Sequence, residues 1–176
     1  MNIRLATNVD RNGIQGVYLR AFPEGENEIV SKLAVDLLSE KTMPQTLSFV
    51  TEADGAIVGH IAFSPVVIDN NDKFHGYILA PLGVRPTCQN RRIGFDLIEH
   101  GIQKLKVMTV NVVFVYGDPK YYCKFGFSAD AAYPYTAPYK LKYPFGWQAI
   151  VLKECDIGES SVIITCVPSL CDPKLW

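Results

Sequence analysis

Leu82-Gly83-Val84-Arg85-Pro86-Thr87-Cys88-Gln89-Asn90-Arg91-Arg92-Ile93-Gly94 decides how this chain is read. An apolar run ending at Val84 gives way to a polar, basic turn. Ile93, Leu97, Ile98, Gly101 and Leu105 then recur at helical spacing. The segment predicts a strand, a turn and a helix, with Arg91 and Arg92 where the helix begins. The macrodipole is positive at that end and disfavours cations, so two arginines there need a reason. An anion between them is one. The first helical N–H groups lack internal partners and point where a phosphate would sit, and guanidinium groups clamp the same charge with directed hydrogen bonds. The other is a pair of solvated surface arginines, tolerated at a cost of several tenths of a kcal/mol. Charge alone does not separate the two.

Upstream, residues 2–6 predict a short strand. Thr7 and Asp10 have capping-box spacing, and Ile14, Val17, Tyr18 and Ala21 share a helical face. The segment FPEGEN breaks that helix, and Ile29, Val30, Leu33, Leu37 and Leu38 mark a second one ending before Met43-Pro44. Residues 46–53 alternate as a strand, Asp54-Gly55 signals a hairpin, and residues 56–68 form the next strand, with Pro65 expected at a bulge or edge. Asn70-Asn71-Asp72 makes another turn before a strand over 75–84, so these strands read as an antiparallel meander. Downstream, 110–116 is a continuous apolar run, as for a strand covered on both faces. A short helix follows over 119–124, then a long aromatic, proline-rich loop over 133–147 and strands over 148–154 and 161–166. The order βααβββαβα followed by more β predicts one mixed α/β (α+β) domain over residues 1–176.

Composition bounds the function. With 176 residues, 48% of them hydrophobic, the chain has material for one core. A formal charge of −1 argues against a general nucleic-acid binder. No apolar run reaches the roughly 18–20 residues that span a bilayer, and the first residues lack a signal-peptide stretch, so a soluble cytoplasmic protein without a membrane partner is expected. Five cysteines without a Cys-x-x-Cys pair, and three scattered histidines, predict neither a disulfide framework nor a metal site.

With the strand before it, Gln89-x-x-x-x-Gly94 resembles the acyl-coenzyme-A pyrophosphate loop of the GCN5-related N-acetyltransferase (GNAT) family, Gln/Arg-x-x-Gly-x-Gly/Ala. The chain keeps Gln89, Arg91, Ile93 and Gly94, and has Asn90 and Arg92 where the commonest form has glycines. If the Arg92 position needs positive φ, a side chain there costs about 1–2 kcal/mol. If only its N–H is used, arginine is tolerated. Gly117-Asp118-Pro119-Lys120-Tyr121-Tyr122-Cys123-Lys124-Phe125-Gly126-Phe127 is similar to the Tyr-x-x-x-Gly-Phe signature that closes the cofactor site in this family. Together with Ala80-Pro81-Leu82 it resembles the YhbS-like branch of predicted acetyltransferases.

The resemblance implies a mixed, mostly antiparallel sheet flanked by helices and splayed at the cofactor strand. It implies direct transfer of an acetyl group from the co-substrate acetyl-coenzyme A to a primary amine of a small-molecule or peptide acceptor, without a metal. Backbone of Leu82, Gly83 and Val84 would pair with the pantetheine arm, and an N–H near Leu82 or Val84 would meet the developing oxyanion. Gln89, Asn90, Arg91, Arg92, Ile93, Gly94 and Phe95 would hold the pyrophosphate. Tyr122 matches the tyrosine that assists the leaving thiolate. For the base, Glu28 starts the second helix, which caps the acceptor cleft in the family, and is one candidate; His60, Glu52 and water stay open. His60, in the run Gly59-His60-Ile61-Ala62-Phe63, also reads as a core histidine, and Glu28 as an acid favoured at a helix start. Cys88 and Cys123 suggest an acyl-cysteine relay, but no histidine lies at an interpretable spacing, and small packing residues are the simpler reading. The tract Tyr133, Tyr135, Tyr139, Tyr143, Phe145 and Trp147, with Lys140 and Lys142, has single-strand-binding chemistry, which its prolines and the neutral charge argue against. A loop near the acceptor or a homodimer contact is the expectation. The alternative class is a coenzyme-A-binding sensor of the same fold without efficient transfer.

Overall fold

The computed structural model describes residues 2–69, 71–158 and 161–176. In chain order the elements are β1 (Asn2–Leu5), α1 (Arg11–Ala21), α2 (Asn27–Ser39), β2 (Leu47–Ala53), β3 (Ala56–Ile68), β4 (Gly76–Val84), α3 (Ile93–Val107), β5 (Val112–Tyr116), α4 (Pro119–Tyr122), α5 (Ala129–Ala132), β6 (Tyr135–Thr136), β7 (Trp147–Val151) and β8 (Val162–Cys166). Hydrogen-bonded neighbours run β1-β2-β3-β4-β5-β7, with β8 on β3 and β6 on β8. The sheet is mixed and mostly antiparallel, with parallel pairs β4–β5 and β6–β8. The chain forms two compact units, Met1–Phe63 with Ala80–Gln103, and Ser64–Leu79 with Lys104–Trp176.

In the first unit β1 pairs antiparallel with β2, and β2 with β3. The hairpin between them turns on Asp54 and Gly55, both at positive φ (51° and 72°), as a two-residue connection requires. The helical stripe read from the sequence is the buried one: Ile14, Val17 and Tyr18 of α1 are 0% exposed and pack with Ala34, Val50 and Ile57. Each such large side chain contributes about 1.5–3 kcal/mol on burial. Asp10 accepts from the Thr7 backbone N–H at 2.8 Å, the carboxylate half of the capping box. It also takes two bonds from the Arg4 guanidinium, at 2.8 and 2.7 Å, which hold its carboxyl down at about 2. Gly101 of α3 touches the Phe63 ring so closely that an added carbon would stand 2.0 Å from it.

In the second unit β5 has partners on both sides, parallel to β4 and antiparallel to β7, and Val112–Val115 are buried as the apolar run predicted. Pro65 falls in a gap between two partners of β3. β3 pairs with β2 as far as Phe63 and with β8 from Val66, so the missing N–H falls where the partner changes. In the β2–β3 pair the register shifts between Thr51 and Glu52. Of the turn read at Asn70-Asn71-Asp72, Asn70 lies outside the described residues; Phe74 N–H donates to the Asn71 carbonyl at 3.2 Å.

The aromatic tract is less of a loop than its prolines suggested. It contains β6 and one 3-10 turn, Pro144–Gly146. Trp147 stacks on Phe114 (5.3 Å between centroids, 6° between planes), and its indole N–H donates to the Tyr135 carbonyl at 2.9 Å. Tyr135 meets Phe114 edge-on at 4.9 Å. These rings are a packing layer, although Tyr133, Tyr143 and Phe145 remain exposed.

Candidate active site

The turn after β4 is closed by its own side chains and amides. Arg85 N–H donates to the Val58 carbonyl at 2.8 Å, which keeps the turn on β3 as β4 ends. A 3-10 turn, Pro86–Cys88, follows. The Gln89 amide group reaches back to the Val84 carbonyl at 3.1 Å, tying the two ends of the turn together.

Asn90 and Arg92 both take left-handed backbone conformations, φ 59° and 63°. They are the two positions where the commonest form of the loop has glycine. Asparagine enters this region readily; arginine pays about 1–2 kcal/mol. The Arg92 carbonyl accepts the Asp96 N–H at 2.9 Å, so Arg92 is the residue just before α3, and the amides of Ile93, Gly94 and Phe95 open the helix. The Arg92 guanidinium lies 4.4 Å from the centroid of the Phe95 ring and 4.0 Å from the Asp96 carboxylate. Those two groups offset part of the cost of a cation at this helix end. Arg91 and Arg92 are exposed, whereas Ile93 is buried against Gly59, where an added carbon would stand 2.7 Å from Ile93 Cγ2.

The β4–β5 ladder runs from Gly76↔Val112 to Leu79↔Val115 and ends two residues before Pro81, which has no N–H to give. Leu82, Gly83 and Val84 continue β4 beyond that ladder. Gly83 lies under the Tyr18 ring, and an added carbon would stand 2.7 Å from Tyr18 Cε1.

The Gly-Asp-Pro-x-Tyr-Tyr run explains itself locally. Asp118 caps α4 by accepting from Lys120 N–H at 3.0 Å, and Pro119 takes the first helical position. Gly126 ends the following turn at φ 90°, a conformation suited to glycine. Tyr122 meets Tyr121 edge-on at 5.2 Å and Phe127 at 5.8 Å. Burial pushes its phenol above the ordinary tyrosine range, and neighbouring Tyr121 adds to the shift.

Of the base candidates, His60 is removed. It is 0% exposed, with Nδ1 2.7 Å from the Tyr18 hydroxyl and Nε2 2.7 Å from Ser48 Oγ. Burial pushes its pKa down to about 3, so it is a neutral core histidine. Glu52 is committed to Arg4. Glu28 is exposed in the first turn of α2. The cysteines are free; Cys123 Sγ lies 3.6 Å from the Lys120 carbonyl and Cys88 Sγ 3.7 Å from Thr87 Oγ1. Sequence reasoning missed the Tyr18–Gly83 contact. Its one signal was Gly83 itself, one residue before the end of β4.

The model of the Acetyltransferase (GNAT) family matches residues 13–127. The chain belongs to the GNAT acetyltransferase family. An uncharacterised N-acetyltransferase of Escherichia coli K12, YjhQ, is 35% identical over 136 residues, 75% of this chain and 72% of its own. YhbS of the same organism, also an uncharacterised N-acetyltransferase, is 31% identical over 132 residues, 74% of this chain and 75% of its own. Among solved structures, a GNAT acetyltransferase of Brucella melitensis in complex with acetyl-CoA is 30% identical with a TM-score of 0.71, covering 92% of this chain and 93% of that one. E. coli YhbS in complex with CoA shares the fold at a TM-score of 0.80 and 24% identity, covering 96% and 90%. Among the described residues no helix is long and apolar enough to cross a membrane.

Proposed function

We propose that this GNAT chain moves an acetyl group from acetyl-coenzyme A directly to a primary amine of a small-molecule or peptide acceptor, as a single functional domain. The observation that carries the reading is the turn 89–94. It is closed by Gln89 on Val84 and twisted left-handed at Asn90 and Arg92, so successive amides lead into the start of a 15-residue helix. Such an array of N–H groups suits a diphosphate. Gln89 through Phe95 would hold the diphosphate, with Arg91 adding charge. The peptide-like pantetheine arm would pair with Leu82–Val84 beyond the end of the β5 ladder, as an added strand does. The Brucella relative's acetyl-CoA complex supports the same cofactor here.

In the reaction the amine nitrogen forms a bond to the thioester carbon, and the C–S bond breaks. A Leu82 or Val84 N–H stabilises the oxyanion. Tyr122, its proton held more tightly than in a free phenol, donates a hydrogen bond to the departing thiolate. The proton released by the amine goes to Glu28 or to water. Unpaired cysteines suit a reducing cytoplasm. A thiol-release assay over a panel of amines tests the reading: acceptor-dependent release of coenzyme A supports it. Tight binding of acetyl-coenzyme A with no turnover for any amine would make the chain a sensor of the cofactor instead.

A further inference from the structure

Tyr18, His60 and Ser48 form a hydrogen-bonded chain that nothing in the chemistry above uses. The three are 0%, 0% and 6% exposed. Besides its 2.7 Å contact with Nδ1, the Tyr18 hydroxyl lies 3.2 Å from the His60 carbonyl, so the ring is fixed at its far end by two atoms of one residue. Along its Cδ1–Cε1 edge that ring lies against Gly83, with Val17 beside it. His60 belongs to a short run of β3 that supports the candidate cofactor groove at three successive residues. The Val58 carbonyl takes the Arg85 N–H, Gly59 seats Ile93 at the start of α3, and His60 holds Tyr18 over Gly83.

We propose that Tyr18 is a positioning residue for the acyl group, with His60 and Ser48 as its anchors. The inference rests on the acetyl-transfer reading. A phenol oriented by a buried neutral imidazole sets the tilt of the two peptide units that flank Gly83, and so the aim of the Val84 N–H, one of the two oxyanion donors proposed above. The hydroxyl matters because packing alone lets an aromatic ring slide along a glycine, which offers no side chain to stop it. Oxyanion donors lose effect steeply with misplacement, since a 1 Å error costs about a hundredfold. The diphosphate turn, held separately by Gln89 and Ile93, does not depend on this chain of bonds.

The test compares Tyr18→Phe, His60→Gln and the double variant with the intact protein. Tyr18→Phe keeps the ring and removes only the anchor. The expected result is a fall in kcat of about tenfold, KM for acetyl-coenzyme A within about twofold, and faster amide exchange in the 80–85 peptide but not in the 97–105 peptide. The double variant is expected to be no slower than the worse single one, because both act through the same bond. Unchanged kcat and exchange in a folded Tyr18→Phe would overturn the proposal, as would a rise in KM at constant kcat. If Tyr18→Phe or His60→Gln does not fold, Ser48→Ala removes the outer anchor alone and is expected to move kcat and exchange in the same direction by a smaller factor; no movement would equally overturn it. If the intact protein turns over no amine, the acetyl-transfer reading fails by itself, and the exchange comparison decides whether Tyr18 orders the Gly83 segment.

Discussion

The Tyr122 ring rests on the α-carbon of Gly117: a carbon added to Gly117 would stand 2.4 Å from Cε2 and 3.1 Å from Cδ2 of the ring. The glycine that opens the Gly-Asp-Pro-x-Tyr-Tyr run is therefore the floor on which the proposed thiolate partner lies. Gly117→Ala must move the ring or the backbone. We expect turnover to fall by about tenfold or more, with the dissociation constant for coenzyme A held within about threefold. Steady-state kinetics beside calorimetric titration would check it; equal loss of turnover and affinity would mean the contact serves the fold.

Tyr122→Phe removes the hydroxyl and leaves that packing. A lost donor to the leaving group predicts a fall in kcat of about a hundredfold, with little change in KM. Because the phenol's pKa is raised, it stays protonated beyond its ordinary value of about 10, and the alkaline limb of kcat is expected above pH 10 rather than below it. A pH–rate profile of the intact protein with an alkaline limb near pH 8 that vanishes in Tyr122→Phe would contradict this.

Arg92 stores strain that sequence left undecided. At φ 63° its side chain costs about 1–2 kcal/mol. Glycine removes that cost but raises the entropy of the unfolded chain, by roughly 0.5–1 kcal/mol. Arg92→Gly is thus expected to leave stability unchanged or raise it by up to about 1 kcal/mol, while Arg92→Val lowers it by more than about 1 kcal/mol. Urea unfolding of the two variants measures both; loss of stability in Arg92→Gly would show that the guanidinium's contacts with Phe95 and Asp96 outweigh the strain.

Periodicity made most of the fold legible. The stripe Ile14, Val17, Tyr18 named the buried face of α1, and the unbroken run before Tyr116 named a strand with partners on both sides. The turn after Val84 was legible from helix-end electrostatics and from the loop pattern together. What escaped depends on three-dimensional neighbours. Pro65 gave the right signal, a missing N–H, but sequence does not show that β3 changes partner there. Prolines hid the stacking of Trp147 on Phe114 within a segment read as loop. The pattern places Arg92 at a glycine position, but its offsetting contacts with Phe95 and Asp96 arise only once the helix has formed.

His60 ties stability to pH. Its folded pKa, about 3, lies below its unfolded value of about 6.5, so the unfolded chain takes up a proton first as pH falls. Its contribution is complete above pH 6.5 and is lost progressively toward pH 3. At roughly 1.4 kcal/mol per pKa unit this amounts to a few kcal/mol. Asp10, depressed to about 2 by Arg4, loses its contribution only below about pH 4. The urea midpoint is therefore expected to drop between pH 7 and pH 4.5, and His60→Gln to flatten that drop while lowering the midpoint at neutral pH. The same slope in both proteins would assign the acid sensitivity elsewhere.

A crystal structure of the protein with acetyl-coenzyme A bound decides whether the turn after β4 holds the cofactor. Diphosphate oxygens are expected within hydrogen-bonding distance of backbone N–H groups between Asn90 and Gly94, and the thioester carbonyl oxygen facing the N–H of Leu82 or Val84. A cofactor bound with its diphosphate away from this turn would contradict that placement.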